Sequence, residues 1–127
     1  MNVLLDTHAL IWWFGDATRL SKRANSVIAD ANNTILISAA VAWEMAIKAS
    51  LGKLNALSLV MDLPNRIDQE GFVELPINLE QATRAGLLPM HHRDPFDRLL
   101  IAQAQSMNVP ILSADAVLDG YDVKRFW

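Results

Sequence analysis

Cysteine is absent from the 127-residue chain, which excludes disulfides, thiolate nucleophiles and cysteine-based zinc or iron–sulfur sites in one step. Glycine and proline number only five each, and no Gly/Ser linker, low-complexity tract, internal repeat or Gly-rich phosphate loop is written anywhere. No apolar run approaches the ~20 residues that a membrane-spanning helix needs. The opening Met1-Asn2-Val3-Leu4-Leu5-Asp6 carries no basic region and soon meets a carboxylate, unlike a signal peptide. These absences predict a soluble, cytoplasmic protein with no membrane partner. Basic charge is scarce too: 11 Lys+Arg against 14 Asp+Glu leave a net charge of −3. That excludes a general polybasic nucleic-acid coat, although a local basic rim around a site stays open.

What the chain does have is core-forming material. Hydrophobic residues make up 52% and charged residues 20%, which suits one globular domain spanning residues 1–127. Short apolar runs are bounded by turn residues: Val3-Leu4-Leu5, Ile35-Leu36-Ile37, Phe72-Val73, Ile111-Leu112 and Val123. Runs of this kind read as strands buried on both faces, the pattern of a parallel sheet. Helical signals lie between them. Ser21 caps one segment, and Ala39 to Leu51 reads as a strong helix closed by Gly52. Leu57 to Glu70 is helical but kinked or split at Pro64. Asn78 and Gln81 form a capping box on a short helix closed by Gly86. Asp94-Pro95 starts a helix that runs to Met107. Strands alternating with helices predict an α/β, three-layer sandwich around a mainly parallel sheet.

In such sheets functional side chains collect at the carboxyl edge, and four carboxylates from distant segments are expected there. Asp6 follows the first strand, and a carboxylate ending a fully buried strand needs a partner. Glu44 is the one acid in the apolar stretch Ala39–Ile47; its bland alternative is an exposed i,i+4 pair with Lys48. Asp97 lies in the first turn of the last long helix, where the helix dipole alone would favour an acid. Asp115 follows Ser113 at the end of another strand, where it reads equally as a turn residue. Asp94 fits an N-cap better than a ligand. Packing carboxylates together without a cation raises their pKa values and costs stability. Together the four therefore favour Mg²⁺ or Mn²⁺ and phosphoryl chemistry.

Other polar groups carry less. His8, His91 and His92 match no zinc spacing. His8 fits a helix start, and the His91–Asp94 stretch a loop ahead of the Asp97 helix. Lys48, Arg93, Arg98 and Ser113 are candidates to hold the carboxylates or to grip a phosphate. Trp12, Trp13 and Phe14 suit packing better than base stacking. Serine nucleophilic catalysis finds no motif.

Three stretches share one resemblance. Leu4-Leu5-Asp6-Thr7-His8-Ala9-Leu10 resembles the opening motif of PIN-domain nucleases. Ser38-Ala39-Ala40-Val41-Ala42-Trp43-Glu44-Met45-Ala46-Ile47-Lys48, continuing to Leu51-Gly52-Lys53-Leu54, resembles their second acidic motif. His92-Arg93-Asp94-Pro95-Phe96-Asp97-Arg98-Leu99-Leu100-Ile101-Ala102-Gln103-Ala104 resembles the third. Ser113-Ala114-Asp115 stands where the family often has Thr-x-Asp, with the hydroxyl kept. The motifs follow the family's order over essentially the whole chain, and the size is similar to the VapC toxins of type II toxin–antitoxin systems. The resemblance implies a parallel sheet of about five strands and a Mg²⁺- or Mn²⁺-dependent endoribonuclease. It also implies a homodimer restrained by a cognate antitoxin. Asp6, Glu44 and Asp97 then match the acidic triad and Asp115 the variable fourth acid. Two rival readings are a phosphatase or phospho-receiver using Asp6, Ser113 and Lys124, and a catalytically silent scaffold that acts through protein partners.

Overall fold

The computed structural model describes residues 1–127. The chain runs β1 (Asn2–Leu5), α1 (Thr7–Gly15), α2 (Lys22–Ala29), β2 (Thr34–Ser38), α3 (Ala39–Ser50), α4 (Leu57–Met61) and α5 (Leu63–Gln69). It continues through β3 (Val73–Leu75), α6 (Leu79–Leu87), α7 (Pro95–Met107), β4 (Ile111–Leu112) and β5 (Arg125–Phe126). Single 3₁₀ turns occupy Ala17–Arg19 and Ala116–Gly120. All strand pairings are parallel, in the order β3-β2-β1-β4-β5. The α/β class with a parallel sheet is what the apolar runs predict, and the five strands agree with what the resemblance implies.

The central strand explains why the sheet is covered on both sides. Val3, Leu4 and Leu5 are all 0% exposed, so side chains pointing to opposite faces are equally enclosed. Ile35, Leu36 and Ile37 on β2 and Ile111 and Leu112 on β4 extend the same core. Trp12, Trp13 and Phe14 close its margin: Trp12 packs edge-on against Trp127, and Trp13 and Phe14 lean on Phe72. Packing, as expected from their run, is what the three aromatics do.

Helix boundaries follow local chemistry. Ser21 caps α2, and Asn78 and Gln81 make both bonds of the capping box on α6. Asp94 accepts the N–H groups of Phe96 and Asp97 ahead of Pro95, which has no N–H to satisfy. Gly52 follows α3 at φ 71°, a conformation that suits a residue without Cβ.

Four expectations shift. The segment after Leu57 is split as expected, but the two helices meet at Asp62, with Pro64 in the first turn of the second. Pro is favoured there because early helical N–H groups are unpaired in any case. Gly86 does not close α6, which runs on to Leu87 before Leu88 turns extended ahead of Pro89. β3 begins at Val73, one residue past Phe72, whose ring is spent on the core. β5 pairs through Arg125 and Phe126 instead of Val123.

Register is what carries the fold toward a site. Leu5 pairs with Leu112, and the Asp6 N–H donates to the Leu112 carbonyl at 3.2 Å. Asp6 and Ser113 therefore leave the sheet side by side. From β1 the sheet grows one way to β2 and β3 and the other way to β4 and β5. The gap between β1 and β4 is thus the topological switch point, where open α/β sheets hold their ligands.

The account of the core is testable at Leu4. Leu4→Ala should lower the unfolding free energy by about 2–5 kcal/mol. In urea titration the midpoint should fall with the m-value unchanged.

Candidate active site

Asp6 ends β1 and caps α1, its Oδ1 accepting the Ala9 N–H at 2.8 Å. The carboxyl group is almost wholly enclosed, and that burial raises its pKa above the ordinary value. Bonds from Ser113 and Ala9 and the nearby His8 offset part of the rise, while Asp115 adds to it. Ser113 is 0% exposed. Besides bonding Asp6, its Oγ accepts the Asp115 N–H at 3.0 Å. The expectation that Ser113 touches substrate is therefore corrected: the hydroxyl is sealed beneath the acids and orders two of them.

Glu44 lies one and a half turns into α3 and is 3% exposed. Its Oε1 accepts the Thr7 hydroxyl at 2.5 Å, and its Oε2 pairs with Lys48 Nζ at 2.5 Å. The i,i+4 ion pair does form, but around a buried carboxylate and not on a solvated face. The Lys48 ammonium is pushed up in pKa, first by its bond to Glu44 and further by the charges of Glu44, Asp94 and Asp97; partial burial works the other way. Lys48 accordingly stands at the pocket's margin, as a group that holds a carboxylate.

Asp97 sits in the first turn of α7 and is pushed up to about 7 in pKa. Burial is the main cause; Asp94, Glu44 and Asp6 add to it, and His92 opposes it. Asp115 accepts the Val117 N–H through Oδ1 and contacts His92 through Oδ2. His92 Nε2 lies 2.9 Å from Asp97 Oδ2 and 3.0 Å from Asp115 Oδ2. The electrostatic coupling runs from Asp6 to Asp115 and from Asp97 to Asp6 and Glu44. Asp97, Asp115 and His92 form a compact cluster, and Asp6 and Glu44 lie within electrostatic range of it.

Two basic candidates are not brought to it equally. Arg93 is exposed in the loop before α7. Arg98 is 8% exposed, and its guanidinium donates to the carbonyls of Ala85, Gly86, Leu88, Pro89 and His92. The expected phosphate contact by Arg98 is therefore corrected. Its donors are spent on the otherwise unpaired carbonyls at the end of α6 and on the following loop. Lys124 precedes β5 at the amino-terminal edge, with its Nζ over the Phe126 ring. It stands opposite Asp6, contrary to the receiver-like reading.

Sequence reasoning missed Thr7 and His92. A hydroxyl at the first helical position beside Asp6 was a usable signal for Thr7. His92 had none, because its approach to Asp97 and Asp115 depends on the path of an irregular loop.

The chemistry of this donor set fits a hard divalent cation. Carboxylates that resist ionisation when crowded together are what such a cation relieves. The chain's sequence settles its kinship, since a family model for the PIN domain matches residues 3–124. The chain belongs to the PIN domain family. Its fold is similar to that of VapBC2 from Rickettsia felis bound to a DNA fragment from their promoter, at TM-score 0.73 and 14% identity over 99% of this chain and 98% of that one. It is similar as well to a toxin–antitoxin complex from Klebsiella pneumoniae, at TM-score 0.65 and 17% identity over 98% and 96%. Mycobacterium tuberculosis VapC20, described as a sarcin–ricin loop cleaving toxin, matches at TM-score 0.67 and 13% identity over 95% of each chain. No curated protein matches the sequence. The protein is a VapC-like PIN domain in its fold, and no helix is long and apolar enough to cross a membrane.

A pH prediction follows for this PIN domain without its cation. Asp97 has a folded pKa near 7 and an unfolded one near 3.9. Between those values the native state holds more protons, so stability falls as pH rises through the window and the loss is complete above it. In EDTA, melting temperature should drop from pH 5 to pH 8. Asp97→Asn should remove that contribution and raise the pH 8 value by about 3–8 °C. An unchanged pH dependence in the variant would contradict the crowding described here.

Proposed function

We propose that this PIN domain is a Mg²⁺- or Mn²⁺-dependent endoribonuclease, the toxin of a type II toxin–antitoxin pair. In this reading it acts in the cytoplasm as a homodimer and is restrained by a cognate antitoxin. The observation that carries the reading is the crowding around Asp97, whose pKa is pushed up to about 7 by burial and by the nearby charges of Asp94, Glu44 and Asp6. Family membership and the toxin–antitoxin neighbours in fold space support it.

Asp6 and Asp97 are the residues that would hold the cation, with Asp115 tuning a second, weaker position. When bound, the cation supplies Lewis-acid stabilisation of a phosphate oxygen and of the departing ribose oxygen. Glu44 keeps a fixed orientation because Thr7 and Lys48 each hold one of its oxygens. Its remaining lone pairs orient the attacking water through that water's O–H. Lys48, partly exposed beside the acids, offers positive charge to an incoming phosphate. Arg93 is the other basic side chain free to meet RNA from the loop before α7. The net negative charge of the chain gives little long-range attraction for RNA, so contact should depend on these local groups.

Cleavage of a panel of structured and single-stranded RNAs in Mn²⁺, beside DNA of the same sequences, tests the proposal. Asp6→Asn and Asp97→Asn should each slow RNA cleavage about 100-fold or more. Wild-type rates in either variant would contradict the assignment. Expression in a bacterial host should arrest growth, and Glu44→Gln should abolish the arrest at equal protein levels.

A further inference from the structure

The imidazole of His92 stands between two proposed cation-holding acids, and its other nitrogen decides what it does there. The backbone N–H of Asp94 donates to His92 Nδ1 at 3.1 Å. Nδ1 is therefore the unprotonated nitrogen, and Nε2 carries the hydrogen. Histidines that ligate metals show the reverse arrangement: the far nitrogen donates its N–H to a carboxylate, carbonyl or water. Here the group that faces the far nitrogen is a donor. Ligation through Nε2 would require a proton on Nδ1, and two N–H groups would then point at each other.

We propose, resting on the metal-dependent reading above, that His92 is a positioning residue and not a ligand. It is held as the Nε2–H tautomer, orients Asp115 by donating to its Oδ2 at 3.0 Å, and keeps Asp97 Oδ2 2.9 Å from the same nitrogen. The ring has little freedom to do otherwise. The His92 N–H donates to the Tyr121 hydroxyl at 2.8 Å, and the His92 carbonyl accepts from Arg98 Nη1 at 3.3 Å. Tyr121 in turn donates to the Pro89 carbonyl at 2.6 Å, which also accepts from Arg98 at 3.0 Å. Arg98 and Tyr121 thus clasp the loop over residues 89–92 from two sides. This gives the buried arginine of the third motif a role in the site without contact to substrate. The Nε2–H also places a positive dipole between two acids that would otherwise repel each other. Asp97 and Asp115 are thereby held in place before any cation arrives.

Two measurements on the wild-type protein test this directly. In the metal-free protein, ¹⁵N NMR of the imidazoles should give His92 an unprotonated Nδ1 and a protonated Nε2. In the Mn²⁺-loaded protein, pulsed EPR should show no ¹⁴N coupling from a histidine ligand. Two variants extend the test. His92→Gln, whose amide N–H can take the place of Nε2–H, should keep Mn²⁺ affinity within about threefold, whereas His92→Ala should lose about tenfold. A directly coordinated ¹⁴N that disappears in His92→Ala would overturn this inference and leave the metal-site reading intact. So would an Nδ1–H tautomer. Absence of any Mn²⁺ binding to the wild-type protein would instead overturn the metal-site reading itself, and this role with it.

Discussion

Like charges forced together are the constraint on which the rest of this structure turns. Parallel pairing of β1 with β4 delivers Asp6 and Ser113 to one edge, and the starts of α3 and α7 bring Glu44 and Asp97 to meet them. Enclosure strips water from Asp6 and Asp97, so both resist ionisation, and neighbouring carboxylates add to the resistance. Asp97, pushed to about 7, shows the result most plainly. The fold tolerates this because many small contacts oppose it. Ala9 and Ser113 bond Asp6, Thr7 and Lys48 hold the two oxygens of Glu44, and His92 serves Asp97 and Asp115 together. Each contact lessens the repulsion without cancelling it, and the remainder is what a cation would relieve.

Those helper residues divide into two sets by origin. Thr7 and Lys48 sit on the same elements as the acids or directly beside them, so short-range helix geometry suffices to aim them. His92 depends on a loop, and the loop depends on Arg98 and Tyr121, which reach it from α7 and from the segment before β5. The buried guanidinium satisfies the open end of α6, steadies the loop and follows Asp97 directly in the chain. One side chain thereby couples the closing of a helix to the shape of the pocket.

Much of this was legible in the amino-acid order, for identifiable reasons. Strands buried on both faces leave continuous apolar runs, so β1, β2 and β4 stood out, as did the helix starts at Ser21, Asn78 and Asp94. Asp6 and Glu44 were visible because a carboxylate in apolar company demands an explanation. Weaker elements escaped. β5 is two residues long and carries Arg125, so it lacks the hydrophobic signal that marked Val123 instead. Arg98 read as a phosphate contact because a basic residue beside an acid looks the same in sequence whether it faces solvent or the carbonyls of α6. The bridging role of His92 has no periodic trace, since loop geometry joins it to Asp97 and Asp115. The recurring motifs carried the family assignment, whereas the polar network that supports them needed coordinates.

The most direct test of the central claim is anomalous diffraction from a crystal of the protein grown with Mn²⁺. The account predicts a peak bounded by carboxylate oxygens of Asp6 and Asp97, at the carboxyl edge between β1 and β4. Manganese bound elsewhere, with these acids splayed apart or neutralised by arginine side chains, would contradict it.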